Sequence, residues 1–582
     1  MRYPRLNQVA TSRKMIDIFK GYNHNIRIGD GEMYDMRNLT SDYYPVLSPR
    51  KKRGFYVKPA SPQGLIAKEE LCYVDGTAFV MGEERVEMGL STAAEDCPKR
   101  MVSMGAYVII MPDKKYINTK DLNDHGDIEA SYTSTGKVSF QLCTISGEEY
   151  SDVTIGPDAP AAPANLDYWI DTSDTPNTLK QYSAISGMWV SIATTYIKIT
   201  ATGIGKNFQQ YDGVTISGIQ SDKLQDLNAS MVVWEKGDDF IVVVGILDAV
   251  TSQTAPITVA RQMPLMDFVT ESGNRLWGCR YGTALNGETV NEIYASKLGD
   301  FRNWNCFMGV STDSYAASCG TDGPFTGAIT HLGYPLFWKE NHVHQVYGNF
   351  PSNFQIQDTA CRGVQEGCHD SLAIVNETLY YKARTGICAF DGSLPVEASY
   401  ALGQEAYSNA VGGAHGNKYY VSMMDKDGGW HLFVYDSLKG MWHREDDFHS
   451  LGFCSHKGEL YAIDGDHLNI VTMLGSGEED SAPVSWMMET GELGLSSPDM
   501  KYISRLIIRM MMEPDARVDI YARYDMSDEW IRQCTIFGTE LRSFSIPIKP
   551  RRSDHMKLKI VGTGVTKIYS ITKVIEQGSD RS

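Results

Sequence analysis

The chain has 582 residues, too many for one hydrophobic core, since single cores stop growing near about 250–300 residues; several domains are expected. Its 54 basic and 72 acidic residues leave a net charge of −18, which argues against a dedicated nucleic-acid binder, because neutralising phosphates takes clustered Lys and Arg. An acidic surface repels the phosphate backbone and is compatible with DNA sliding past without being held.

The N-terminus, MRYPRLNQVATSRKM, is basic but lacks an apolar core segment and a small-residue cleavage site, so no signal peptide is expected. The longest apolar run, Phe240 to Leu247, has the length of a strand, and no membrane span is expected. Eleven cysteines, an odd number, are scattered from Cys72 to Cys534 without a CxxC. The pairs Cys361/Cys368 and Cys306/Cys319 do not have zinc-site spacing. They read as small buried hydrophobes of a protein made and folded in a reducing cytoplasm.

Along the chain helical periodicity is nearly absent. The one amphipathic helix candidate is Ser12 to Phe19. Elsewhere short alternating runs end in Gly, Asp, Asn or Pro, as strands and hairpins require. Leu71 to Val74, a turn at Asp75-Gly76, and Thr77 to Met81 form a predicted hairpin, because Asp-Gly supplies the positive φ of a tight turn. Gly105 to Met111, Pro112-Asp113, and Lys115 to Thr119 form another. From about Leu122 to Gln262 this grammar stops. Gly156 to Pro163 reads as a stiff, polyproline-like linker, and Asp167 to Asp171 and Met188 to Ile192 as strands of a small separate β module.

Past residue 263 aromatic-rich strand pairs recur: Asn274–Tyr281 with Glu292–Ser296, Tyr334–Trp338 with His342–Tyr347, Glu377–Lys382 with Gly386–Phe390, and Lys418–Met423 with Trp430–Asp436. Glu459–Ile463 closes the series. The period of about 40–50 residues suits propeller blades, about seven of them; a β-sandwich, or tandem small β domains, would show the same alternation. Ser504–Met511, Ala516–Tyr524 and Met556–Val561 read as strands of a terminal β-sandwich. The expected fold is all-β: an N-terminal segment and first blades over 1–121, an inserted β module over 122–262, the remaining blades over 263–484, and a C-terminal β-sandwich over 485–582.

Chemistry is sparse. The chain has no Walker loop, GxSxG elbow or HExxH helix. His342 and His344 alternate on one strand and could share a face as metal ligands, but no carboxylate or Cys completes the set. Asp425 to Gly429 begins like a calcium loop without its bidentate Glu, and reads as a hairpin turn. Asp300 to Trp304 is faintly like the Asp-box turn of sialidase propellers; Asp and Trp there fix a turn and fill the gap between blades. No catalytic residue, cofactor site or metal site is expected. Arg551-Arg552-Ser-Asp554-His555 and Arg50-Lys51-Lys52-Arg53 concentrate charge on expected loops and are candidates for contact with an acidic neighbouring subunit.

Several stretches resemble structural proteins encoded in the tail modules of bacteriophages. Phe19 to Tyr22, Gly31 to Leu39 and Pro45 to Arg50 are similar to their opening segment. Ile293 to Ser296 with Gly299-Asp300 and Asn303-Trp304, Phe337 to Glu340, and Trp442 to Asp446 look like their blade motifs, and Pro550 to His555 with Lys557 to Gly562 like their closing domain. The 122–262 insertion is unmatched. The resemblance implies a non-enzymatic tail hub, nozzle or head-to-tail connector subunit of the virion, assembled in the host cytoplasm. Its partners would be a homo-oligomeric ring and other tail or connector proteins, with DNA passing transiently. Subunit contact is expected from the insertion or the terminal domain, with Arg551, Arg552, Asp554 and His555 as contact residues. The rival expectation is a carbohydrate-binding or glycan-cleaving propeller used in host adsorption, because the many Trp and Tyr could stack on sugars.

Overall fold

The computed structural model describes residues 11–92, 98–284, 287–475, 478–479, 483–495, 500–548 and 551–577. The fold is all-β. Among the described residues the helices are four short 3-10 turns, of which Asp222–Leu227 is the longest. Two compact units are formed, one from Met1–Arg100, Trp338–Val343 and Thr359–Ser582, the other from Met101–Phe337 and His344–Asp358.

In the second unit, Arg100–Met104, Tyr107–Met111, Lys115–Asn118 and Asp121–Asp127 form a four-stranded sheet in sequence order. The same plan recurs in Phe268–Ser272, Arg275–Thr283, Thr289–Ala295 and Tyr315–Ser318, and again from Gly327–His331 to Gln355–Ala360. Between the first two of these sheets lies a core of Met104, Ile109, Ile128, Met263, Leu276, Phe301 and Trp304. Fully burying one large apolar side chain of this kind contributes about 1.5–3 kcal/mol.

The inserted module leaves the first sheet after Asp127 and closes on itself. Its first strand, Ala130–Thr133, pairs antiparallel with its last, Thr258–Arg261. A four-stranded and a five-stranded sheet enclose a core that includes Phe140, Ile199, Phe208, Ile241 and Val259. The expected start at residue 122 therefore falls inside the preceding sheet, where Asp121–Asp127 is hydrogen-bonded to Lys115–Asn118. The Pro/Ala segment is not a linker between modules. It connects Thr154–Gly156 to Tyr168–Asp171, parallel neighbours in one small sheet, and parallel strands need a crossover connection.

In the first unit, Pro62–Ala67, Leu71–Asp75, Ala78–Met81 and Glu84–Glu87 form a meander. Its turn lies one residue later than the expected Asp75-Gly76: Asp75 is the last strand residue, opposite Ala78, and Gly76-Thr77 make the turn, with Gly76 at φ +63°. Ala373–Val375 to Val396–Glu397 forms a second meander, and Tyr407–His415, Lys418–Asp425, Trp430–Asp436 and Met441–Arg444 form a third. In the last set, Ser450–His456, Glu459–Asp464 and Ile470–Thr472 take their fourth strand from far upstream, Gly54–Val57. Tyr420, Leu432, Val434, Leu460 and Met473 fill the space between this sheet and its predecessor; Leu71, Tyr73, Val80, Ile463 and Ile470 fill the space on the other side.

Two further expectations are corrected. Ser12 to Phe19 is not a helix: Thr11–Ile16 is a strand, paired from Thr11↔Glu576 to Ile16↔Ile571. Strand pairing across the whole chain decides between two periodicities that look alike over eight residues. The C-terminal strands, expected as a sandwich, belong to one continuous hydrogen-bonded sheet of thirteen strands. That sheet runs through Glu32–Arg37 and Gly21–Tyr22 into the meander of 407–444.

Candidate subunit-contact surface

The C-terminal part of that sheet is built on one long strand, Lys501–Tyr524. Apolar residues alternate along it, so Leu506, Ile508, Met510 and Met512, then Ala516, Val518, Ile520 and Ala522, are buried on one face. A bulge around Pro514, between Met512 and Arg517, keeps the two halves in phase. On one side this strand pairs with Met556–Thr563 and Thr566–Gln577. On the other it pairs with Ile531–Ile546, from Leu506↔Ile546 to Ala522↔Ile531, and at its start with Arg552–Ser553.

Ile531–Ile546 has no second strand neighbour among the described residues, so it is a sheet edge sixteen residues long. Phe537 is 67% exposed on it and Leu541 43%. Natural sheets blunt such edges with short strands, charges or covering elements. This edge carries Arg532, Glu540 and Arg542, but its centre, Cys534 to Gly538, is uncharged and β-prone. No expectation from sequence included this strand. The signal was the run Cys534-Thr-Ile-Phe537, which Gly538 and the flanking charges interrupt.

The structure divides the charged cluster read as a contact site. Arg551 and Arg552 are exposed; Arg551 lies 5.6 Å over the ring of Tyr524, and Arg552 sits on a two-residue strand paired with Tyr502. Asp554, its side chain 42% exposed, and the more buried His555 are held by contacts within the chain. The carbonyl of Asp554 accepts a hydrogen bond from Nζ of the buried Lys501, and its carboxylate lies 3.6 Å from the same ammonium. Asp554 Oδ2 meets His555 Nδ1 at 3.1 Å, and this hydrogen bond first, then Lys501, holds the Asp554 carboxyl below its usual range. Two residues of the four are thus free to meet a neighbour, and two fasten the loop.

The other basic cluster is not a solvated loop. Arg53 grips Asp446 with both terminal nitrogens, at 2.7 and 2.8 Å, and reaches Glu445 at 3.0 Å. Arg50 joins at 3.1 Å from Asp446. Arg50 and Arg53 therefore clasp the N-terminal segment to the end of the Met441–Arg444 strand, and only Lys51 is exposed.

The remaining motifs are structural in their surroundings. His344 is buried, with Nε2 2.7 Å from Thr321 Oγ1, and no group of three or more His, Cys, Asp or Glu among the described residues is placed to hold a metal ion. Asp425 accepts the amides of Asp427 and Gly429 and faces His431 at 2.7 Å, which makes a closed turn. In the Asp300 turn, Asp300 accepts from Asn303 at 2.5 Å, and Trp304 donates to the Phe301 carbonyl while filling the core between two sheets. The ten described cysteines are all free thiols, six of them buried. No helix among the described residues is long and apolar enough to cross a membrane.

No family model matches the chain, and no curated protein does. Among solved structures, an exo-β-1,3-galactanase from Phanerochaete chrysosporium is 10% identical, with a TM-score of 0.21, covering 53% of this chain and 94% of its own. PorZ, a surface component of the type-IX secretion system of Porphyromonas gingivalis, is 11% identical with a TM-score of 0.26, covering 88% of this chain and 77% of its own. AztD from Citrobacter koseri is 10% identical with a TM-score of 0.26, covering 74% and 93%. Likenesses this weak carry no argument about function.

Proposed function

We propose that this chain is a non-enzymatic structural subunit of a bacteriophage tail, one member of a homo-oligomeric ring of the hub, nozzle or connector type. The observation that carries the reading is the sixteen-residue edge Ile531–Ile546 with Phe537 and Leu541 exposed on it. An open edge of this length is an aggregation hazard in a solitary protein and an assembly surface in an oligomer. Arg551 and Arg552 lie exposed in the same C-terminal region, which suits the expected contact residues. The motif resemblance in the N-terminal segment, the blades and the closing domain supplies the phage context.

The finer fold reading is a seven-bladed propeller. Support comes from five four-stranded meander sheets outside the inserted module, the four-stranded meander of 407–444, and a seventh set completed by Gly54–Val57, since a strand returning from the opposite end of the series is one way to close a ring of blades. The −18 charge suits transient passage of DNA.

Negative-stain electron microscopy of the purified full-length chain tests the reading. Rings with a central opening are expected. A monodisperse monomer that hydrolyses a fluorogenic glycoside, with activity abolished by a single carboxylate substitution, would overturn it in favour of a glycan-cleaving protein.

A further inference from the structure

The first unit holds a cavity of about 360 Å³ between the sheet of 407–444 and the N-terminal segment. Pockets that bind small molecules span roughly 300–1,000 Å³, so this one has room for a compact ligand. Register explains its lining. Lys418 stands opposite Asp436, and Tyr420 opposite Val434, so Lys418, Tyr420 and Asp436 share one face of the sheet. Asp42 approaches that face from the N-terminal segment, and Lys439 from the turn that follows Asp436.

The polar groups are held in place but not saturated. Lys418 Nζ donates to Asp42 Oδ1 at 2.6 Å and to Thr40 Oγ1 at 3.1 Å. Lys439 Nζ donates to Asp436 Oδ2 and to the Ser41 carbonyl, both at 3.0 Å. An ammonium has three donors, so each lysine keeps one N–H to spare. The decisive feature is Tyr420. It is 97% buried, yet its hydroxyl has no hydrogen-bond partner among the described residues and the side chain lines the cavity. The hydroxyl reaches the cavity space, where an occupant can donate to it or accept from it.

We propose that this cavity binds a neutral polyol of about monosaccharide size. Each hydroxyl of such a molecule both donates and accepts, which matches a mixed set of ammonium donors, a carboxylate acceptor and a phenol able to do either. A phosphate is an anion and would meet the carboxylates of Asp42, Asp436 and Glu445; an amine would meet Lys418, Lys439 and Arg50. The apolar Met473 and Leu474 in the wall suit the C–H surface of the same ligand. The inference is independent of ring assembly.

Saturation-transfer NMR with glycerol, myo-inositol, glucose and galactose, and inorganic phosphate as the anionic arm, tests it on the full-length protein. At least one polyol is expected to bind at millimolar concentration. Tyr420→Phe keeps the buried ring and removes only the hydroxyl; it is expected to weaken that binding about fivefold while leaving the melting temperature within a degree or so. Failure of all four polyols, binding indifferent to Tyr420→Phe, or preference for phosphate would overturn the proposal.

Discussion

Arg53 and Asp446 form a two-toothed ion pair, 2.7 and 2.8 Å, between residues 393 positions apart in sequence, with the guanidinium also lying 4.5 Å over the ring of Phe448. The pair fixes the segment before Gly54–Val57, the strand that completes the sheet of 450–472. It is therefore the fastening of the first unit's N-terminal chain as well as a local contact.

Arg53→Ala leaves the buried Glu445 and the half-buried Asp446 without their main cation, which is expected to cost about 3 kcal/mol of unfolding free energy in chemical denaturation. Arg53→Ala with Asp446→Ala together should cost less than the sum of the two single changes. Strict additivity in that double-mutant cycle would mean the pair contributes no coupling.

Gly213 tests close backbone approach in the second unit. A Cβ there would lie 2.6 Å from the backbone of Asn305 and 2.8 Å from the amide of Cys306, and the Gly213 amide donates to Asn303 Oδ1 at 2.9 Å. Gly213→Ala is expected to destabilise by about 1–3 kcal/mol through overpacking. Gly76→Ala meets no atom within 4 Å and is strained only by its φ of +63°, so about 1 kcal/mol is expected. A smaller loss for Gly213→Ala than for Gly76→Ala in thermal melts would contradict this account.

Much of this was legible locally and some was not. The hairpin of 71–81, though not the exact residues of its turn, and the strand pairs of 274–296 and 418–436 could be read because two-residue periodicity and turn chemistry act over a few residues. The partners of Arg50 and Arg53 could not, since nothing near residue 53 points to Asp446. The strand Thr11–Ile16 looked helical because Met15, Ile16 and Phe19 also suit a helix face; only the neighbour 571–576 decides otherwise. Of the four expected contact residues, Asp554 is engaged because the buried Lys501 needs an anion, and His555 is held by its hydrogen bond to Asp554.

Acid sensitivity follows from buried histidines. Burial pushes His443 down to about 3, with Lys418 and Lys439 acting in the same direction and Asp436 and Asp42 opposing; burial pushes His369 down to about 4. Their unfolded values lie near 6.5, so the unfolded chain takes up more protons, and stability is lost as pH falls from about 6.5 toward 4. Each site contributes up to about 1.4 kcal/mol per pH unit. Urea midpoints at pH 7, 6, 5 and 4 should fall progressively, and His443→Asn should make the fall shallower. An unchanged slope in that variant would exclude His443 as a source.

Assembly should respond to salt. Subunits that each carry −18 repel one another over about a Debye length, which shortens from about 30 Å at 0.01 M to about 10 Å at 0.1 M. Light scattering across that range is expected to show a larger oligomer fraction at the higher salt. The reverse trend would place Arg–carboxylate pairs, not the apolar edge, in control of the contact.

The most direct test is the mass distribution of the full-length chain and of a Phe537→Lys, Leu541→Lys double variant by mass photometry, with circular dichroism as the folding control. Both side chains point away from the core, so the β-sheet spectrum should be unchanged, while added lysines on an edge oppose strand addition. A discrete oligomer for the unmodified chain and a monomer for the folded variant are expected. A variant that assembles like the unmodified chain, or an unmodified chain that stays monomeric, would contradict assembly through the Ile531–Ile546 edge.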